Sequence, residues 1–121
     1  MNTTAQATIT VTQAQTAQAV GSGSLPVFAT PMMVALMENA ACRALAEQLE
    51  PGQTSVGTAI NVRHLAPSPL GAEITATAVI AGQNGRSIDF EVTAYQGDKE
   101  IGTGTHTRVI VDEKRFMEKL K

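Results

Sequence analysis

The sequence has little of the chemistry that marks several large classes of protein. Of its 121 residues only one is a cysteine and none is a tryptophan, and the formal net charge is −2. A lone cysteine excludes an intramolecular disulfide and is typical of a reducing compartment, so we expect a cytoplasmic protein. Because no basic face is evident in the sequence, a nucleic-acid partner is not expected.

Other absences narrow the function further. No apolar run approaches the roughly 20 residues that span a bilayer, and no basic region followed by an apolar run opens the chain, so neither a membrane segment nor a signal peptide is expected. Two histidines and one cysteine offer no metal-ligand spacing. Phosphate-binding loops and the Gly-x-Ser-x-Gly elbow are also missing, so we expect no metal and no cofactor.

What the sequence does contain is one long apolar stretch, residues 30–46, that predicts a helix. Thr30 suits the N-cap and Pro31 the first helical position. The helix is expected to end near Leu49, before a Pro-Gly pair. Because the stretch is apolar on nearly all sides, we expect the helix to be buried.

Glu38 lies near the middle of this helix, among apolar neighbours three and four residues away. A carboxylate in such surroundings is costly unless it is paired or has a function. The structural alternative is an ion pair with Arg43 or Arg63. Cys42, one turn further on, is interpreted as a small core residue.

Alternating stretches before and after the helix predict strands. These strands cover residues 8–11, 55–64, 73–81, 87–95 and 99–111. Residues 16–20 could extend the first strand, and residues 112–121 predict a short charged helix. Because the links between the last four strands are of hairpin length, we predict an α+β fold. Residues 1–121 then form one domain, in which a five-stranded antiparallel sheet covers the helix.

Within the second strand, one face is predicted to carry the apolar row and the last histidine of the strand. That row is Val56, Thr58, Ile60, Val62 and His64, with Ser55 and Gly57 on the opposite face. In the last strand, Gly102 and Gly104 share a face and can allow another backbone to approach closely. One sheet covers only part of an apolar helix, so we expect an obligate oligomer, most simply a twofold dimer.

Three polar side chains therefore fall on predicted interior positions: Thr30, Glu38 and His64. A hydroxyl, a carboxylate and an imidazole together indicate acid–base chemistry of the acyl-transfer kind. The structural alternatives are a helix cap, an ion pair and a core histidine. His106, on the last strand, is interpreted as a residue of the surface or of a pocket edge.

The order strand, long helix, four antiparallel strands resembles the hotdog fold. Residues 28–38, 54–58 and 62–71 resemble the corresponding segments of the thioesterases related to fluoroacetyl-CoA thioesterase. The resemblance extends from about Val20 to Phe116. It implies a thioester hydrolase that acts as a homodimer, with the pocket at the subunit interface; whether dimers pair into tetramers stays open.

The same resemblance implies the site residues and the substrate class. Thr30, Glu38 and His64 match the catalytic positions, Gly57 matches a glycine that lines the site, and Arg108 matches a position near the pocket mouth. The substrate is expected to be a small or medium acyl thioester, with coenzyme A or a carrier protein as the thiol. Whether Glu38 attacks the carbonyl or positions the attacking water stays open.

The substrate is not expected to be fluoroacetyl-CoA in particular. The loop of residues 21–26 before the helix has no bulky aromatic side chain until Phe28. Two alternatives remain within the fold. A hydratase or dehydratase is disfavoured because the usual Asp and His pair near the helix is missing. A binding protein for acyl-CoA or another small molecule could keep the pocket without turnover.

Overall fold

The computed structural model describes residues 3–121. They form a five-stranded antiparallel sheet and one long helix. The strands are β1 (Thr4–Thr10), β2 (Gln53–His64), β3 (Glu73–Asn84), β4 (Ser87–Gln96) and β5 (Lys99–Asp112). Their order in the sheet is β1-β3-β4-β5-β2. The helices are α1 (Ala17–Val20), α2 (Thr30–Leu45) and α3 (Glu113–Glu118), with 3-10 turns at Gln13–Gln15 and Ala46–Gln48. The predicted fold and the short C-terminal helix are confirmed.

Helix α2 packs on one face of the sheet, chiefly against β1 and β3. Its buried face carries only apolar residues, namely Met33, Leu36, Met37, Ala40, Ala41, Ala44 and Leu45. The opposite face is exposed at Ala35, Asn39 and Arg43, and Cys42 is half-buried rather than fully in the core. The helix is therefore buried on one side by its own chain. Separately, no helix within residues 3–121 is long and apolar enough to cross a membrane.

Two local predictions at the N-terminal side of the fold are wrong. The N-cap of α2 is Ala29, whose side chain has no polar atom, and Thr30 is the first helical residue. Residues 16–20 do not extend β1; Thr16 caps α1 by accepting a hydrogen bond from the backbone N–H of Ala19. The main consequence is that the Thr30 hydroxyl is free to bond elsewhere.

The predicted faces of β2 are correct only in its C-terminal half, because the strand contains a bulge. The register with β5 shifts between Gly57 and Ala59, so Thr58 has no opposite residue. Ile60, Val62 and His64 face α2 as predicted, since they lie opposite inward residues of β5, whereas Val56 and Thr58 do not. A one-residue insertion exchanges the two faces of a strand, and Gly57 therefore points inward.

The glycines of β5 allow the close approach that the sequence predicts. A Cβ atom at Gly102 would lie 2.8 Å from Cε of Met33, so α2 packs against bare backbone there. A Cβ at Gly104 would meet the backbone of Asn61 and Val62 in β2. The end of β2 that carries His64 is thereby held close to the start of α2.

Candidate active site

The first cluster of polar side chains lies where α2 begins and β2 ends. Thr30 Oγ1 is 2.7 Å from Nδ1 of His64, a hydrogen bond between two residues that are 34 positions apart. His64 lies opposite Gly102 in the sheet, and Phe28 meets its ring edge-on at 6.4 Å. The hydroxyl can make this bond because it does not cap the helix.

The environment of His64 favours the neutral ring. Burial lowers the pKa of His64 below its ordinary value of 6.5, and the nearby backbone of Ala66 opposes this more weakly. Its Nε2 atom is buried and has no hydrogen-bond partner among residues 3–121. Thr30, by contrast, is exposed. The Thr30 hydroxyl is therefore placed where it can exchange a proton with the imidazole.

A cavity of about 320 Å³ opens beside this pair. Its walls include the apolar side chains of Val27, Phe28, Leu65 and Pro67. Ligand pockets combine such apolar walls with a few polar groups that fix orientation. The cavity thus offers an apolar group a place next to a hydroxyl and an imidazole.

The second cluster surrounds Glu38. Its Oε2 atom is 3.5 Å from Nη1 of Arg108, and the Glu38 side chain is 39% exposed. The buried Arg108 donates from Nε to Oγ of Ser55 at 2.8 Å and from Nη2 to the Ser55 carbonyl at 3.0 Å. The alternative ion pairs are therefore wrong: Arg43 donates to the carbonyl of Gln6, at 3.4 Å, and Arg63 is not a partner of Glu38 within residues 3–121.

His106 belongs to this second cluster and is buried, so of its two predicted positions the pocket edge is correct and the surface is wrong. Its Nδ1 atom is 2.8 Å from the Ala59 carbonyl, and its Nε2 atom is 3.3 Å from Nη1 of Arg108. Phe90 stacks on the ring at 5.9 Å. The sequence contained one signal for this arrangement, since His106 and Arg108 are two residues apart on a strand and share a face.

Gly57 forms the wall against which the Glu38 carboxylate lies. A Cβ atom at Gly57 would be 2.8 Å from Glu38 Oε2, 3.2 Å from Cε1 of His106 and 3.4 Å from Nη1 of Arg108. Glu38, Gly57 and His106 line a cavity of about 240 Å³. The strand bulge is what brings the bare Cα of Gly57 to this position.

The two clusters are separate within one chain. Glu38 follows Thr30 by eight residues, a rise of about 12 Å along a helix. Glu38 makes no hydrogen bond or ion pair with Thr30 or His64 in the part of the chain that the structure describes. The structure thus joins Thr30 with His64, and Glu38 with Gly57 and Arg108, but does not join the two groups. Across residues 3–121, no three His, Cys, Asp or Glu side chains are grouped as a metal ion requires.

Comparisons with known protein sequences point to one family. Residues 11–114 match the model of the family described as fluoroacetyl-CoA-specific thioesterase. The chain is 46% identical over 95 residues to the fluoroacetyl-CoA thioesterase of Streptantibioticus cattleyicolor, an alignment that covers 78% of this chain and 68% of that protein.

Comparisons with solved structures agree. A solved structure of the fluoroacetyl-CoA thioesterase superposes with a TM-score of 0.91 at 38% identity, covering 97% of this chain and 91% of that one. A thioesterase superfamily member from Thermus thermophilus gives a TM-score of 0.89 at 28% identity, covering 97% and 87%. Both similarities extend over nearly the whole hotdog fold.

Proposed function

Because the chain belongs to the fluoroacetyl-CoA-specific thioesterase family, we propose that it hydrolyses small or medium acyl-CoA thioesters. The family and the 46% identical relative make it a thioester hydrolase. The observation that carries the proposal is the 2.7 Å bond between the exposed Thr30 hydroxyl and the imidazole of His64. This pair supplies a proton relay, and Glu38 supplies the carboxylate that the reaction needs.

In the proposed reaction, the carbonyl carbon gains a bond to a water-derived oxygen and loses its bond to sulfur. Glu38 either orients the water that attacks or attacks the carbonyl itself, in which case water cleaves the resulting anhydride. The neutral imidazole of His64 takes up a proton through Thr30 and returns one to the leaving thiolate. The products are a free acid and coenzyme A, and no cofactor takes part.

The acyl group is proposed to occupy the cavity beside Thr30. Its volume of about 320 Å³ and its apolar walls suit a short or medium chain, while the rest of coenzyme A must lie outside it. The loop of residues 21–26 supplies Ser22, not an aromatic side chain, to this cavity. This supports a broader acyl preference than fluoroacetyl alone.

A homodimer is proposed because the site is incomplete in one chain. Among the described strands, β2 has a neighbour on one side only, and it carries the 38% exposed Ile60 on a 12-residue strand without proline. Such an edge favours pairing with another strand. Gly57 and His64 are equally far in sequence from the Ile60–Asn61 bond. Antiparallel pairing of two β2 strands about that bond would therefore place Gly57 of one subunit opposite His64 of the other. Because Glu38 lies against Gly57, its carboxylate would then lie beside Thr30 and His64 of the other subunit.

The dimer and its proposed cytoplasmic location have simple tests. Gel filtration with light scattering at micromolar concentration should give twice the mass of the 12.7 kDa chain. A stable monomer would contradict the shared site. Localisation of a tagged chain in the cytoplasm would support the location that the single cysteine suggests.

The function itself is tested by thiol release from a panel of acyl-CoAs of increasing chain length. We expect turnover of small and medium acyl-CoAs and less with long chains, whose tails exceed the cavity. Binding without thiol release would favour a binding protein, and addition of water to an enoyl-CoA without thiol release would favour a hydratase. If thiol were released only from acyl thioesters of a carrier protein, the carrier protein rather than coenzyme A would be the thiol part of the substrate.

The activity is expected to depend on pH through His64. Burial lowers the pKa of this ring below 6.5. The neutral base is therefore present at pH values above that lowered pKa and is lost as the pH falls through it. We expect kcat/KM to be level around pH 7 and half-maximal below pH 6.5. A profile that still rises between pH 6.5 and 8 would contradict this assignment.

Gly57→Ala is expected to lower kcat about 10-fold to 100-fold, with some loss of stability because the new methyl group would also lie 3.2 Å from Cε1 of the stacked His106 ring. The new methyl group would lie 2.8 Å from Glu38 Oε2, and a carboxylate at the end of a flexible side chain can move away. The matched control is Gly82→Ala, where no described atom lies within 4 Å of the new Cβ. Steady-state kinetics and thermal unfolding of both variants measure this, and unchanged kcat in Gly57→Ala would show that the carboxylate position is unimportant.

A further inference from the structure

We propose that His106 is a positioning residue, which holds the guanidinium of Arg108 and, through it, the carboxylate of Glu38. The inference rests on the proposed hydrolase function and extends it to a residue that acts through Arg108. It starts from three contacts of one buried ring: a carbonyl, a guanidinium and an aromatic face.

The partners of His106 fix its tautomer. The Ala59 carbonyl can only accept, so Nδ1 carries the proton and donates to it across 2.8 Å. The guanidinium of Arg108 can only donate, so Nε2 is unprotonated and accepts from Nη1 across 3.3 Å. Both ring nitrogens of a neutral imidazole are thus used, and the stacked Phe90 limits rotation of the ring.

The guanidinium of Arg108 is held along two edges. Ser55 accepts from Nε and Nη2, which fixes one edge of the planar group. On the other edge, one N–H of Nη1 reaches His106 and the same nitrogen lies 3.5 Å from Glu38 Oε2. Because the ion pair is long, its geometry depends on the groups that hold Arg108 rather than on a short bond between the two charges.

The bulge of β2 connects the hydrogen bonds of His106 to the Glu38 site. The register shifts between Gly57 and Ala59. On one side of the shift, Gly57 lies against the Glu38 carboxylate, and on the other, the Ala59 carbonyl accepts from His106. One local irregularity of the strand therefore provides both the wall of the carboxylate site and the anchor of the imidazole.

Two substitutions separate the two hydrogen bonds of His106. Glutamine places an oxygen near the position of Nε2 and can still accept from Arg108. Asparagine places an amide nitrogen near the position of Nδ1 and can still donate to Ala59 but cannot reach Arg108. If His106 acts through Arg108, His106→Asn should lower kcat for acyl-CoA about 10-fold to 100-fold with little change in KM, and His106→Gln should restore most of it.

A second measurement, on a double variant, tests whether His106 and Glu38 act as a unit. In the Glu38→Gln background, His106→Asn should cause no further loss of kcat, because the carboxylate it positions is already gone. Additive losses would overturn the proposal. So would recovery by asparagine but not glutamine, which would make His106 only a tether between β5 and β2, and so would wild-type kcat in both variants.

Thermal unfolding of each variant accompanies the kinetics. If both His106 variants unfold below the assay temperature, Arg108→Lys decides: lysine keeps the charge but cannot bond Ser55 and His106 from a planar fork. A loss of kcat of similar size supports the proposal, and wild-type kcat overturns it. Turnover of acyl-CoA by the unmodified protein tests the hydrolase function separately, so failure of one idea is not confused with failure of the other.

Discussion

Replacement of Glu38 with glutamine is expected to lower kcat for acyl-CoA hydrolysis about 10²-fold to 10⁴-fold. Glutamine has nearly the same shape, and its carbonyl oxygen can still face Nη1 of Arg108. It can neither attack a thioester nor accept a proton from water. The fold should be unaffected, since the Glu38 side chain is 39% exposed and contributes only an ion pair of 3.5 Å.

The measurement is thiol release under saturating acyl-CoA, with thermal unfolding of the same preparations. Glu91→Gln is the matched control, because Glu91 is exposed on β4, away from both polar clusters. It should retain wild-type kcat. If Glu38→Gln hydrolysed acyl-CoA at the wild-type rate, the carboxylate would have no chemical role and the proposed mechanism would be wrong.

Thr30→Val is expected to have the second large effect, a loss of about 10²-fold or more in kcat. Valine matches threonine in shape but lacks the hydroxyl that bonds His64 across 2.7 Å. Because Nε2 of His64 is buried without a partner in the described chain, the ring loses its route to the substrate. Thr30 is exposed and does not cap α2, so little stability should be lost.

Thr30→Ser tests whether the hydroxyl is the active feature. Serine keeps the oxygen, so its kcat should stay within about 10-fold of wild type, the residual difference arising from the freer rotation of its side chain. Equal kcat values for the valine and serine variants would contradict the relay. In that case His64 would have to reach the substrate through Nε2, which requires the ring to move.

The sequence was sufficient to predict the long helix, the five strands and the C-terminal helix, but not α1. The apolar run after Pro31 predicted the helix and the alternation in the last three strands predicted those strands, and both are confirmed. The prediction that Thr30 caps the helix was wrong because its hydroxyl can bond a backbone N–H or a distant imidazole with similar ease. That choice depends on Gly102, which lets the helix approach β5 and the end of β2, and is invisible in a local pattern.

The site was only partly predictable for a similar reason. Strict alternation along β2 placed Gly57 on the outer face, since a bulge adds one residue without any signal in hydrophobicity. The partner of Glu38 is Arg108, 70 residues later in the sequence, and the intervening anchor Ser55 lies on another strand. Such contacts follow from sheet register rather than from spacing along one element.

The shared site is tested most directly with a heterodimer. Glu38→Gln and His64→Ala subunits, each inactive alone, are given different tags, co-expressed and purified together. If Glu38 of one subunit works with Thr30 and His64 of the other, one of the two sites in this heterodimer is intact. The heterodimer should then show about half of the wild-type activity. No activity above that of either parent would contradict the account, because it would place all three groups in one chain.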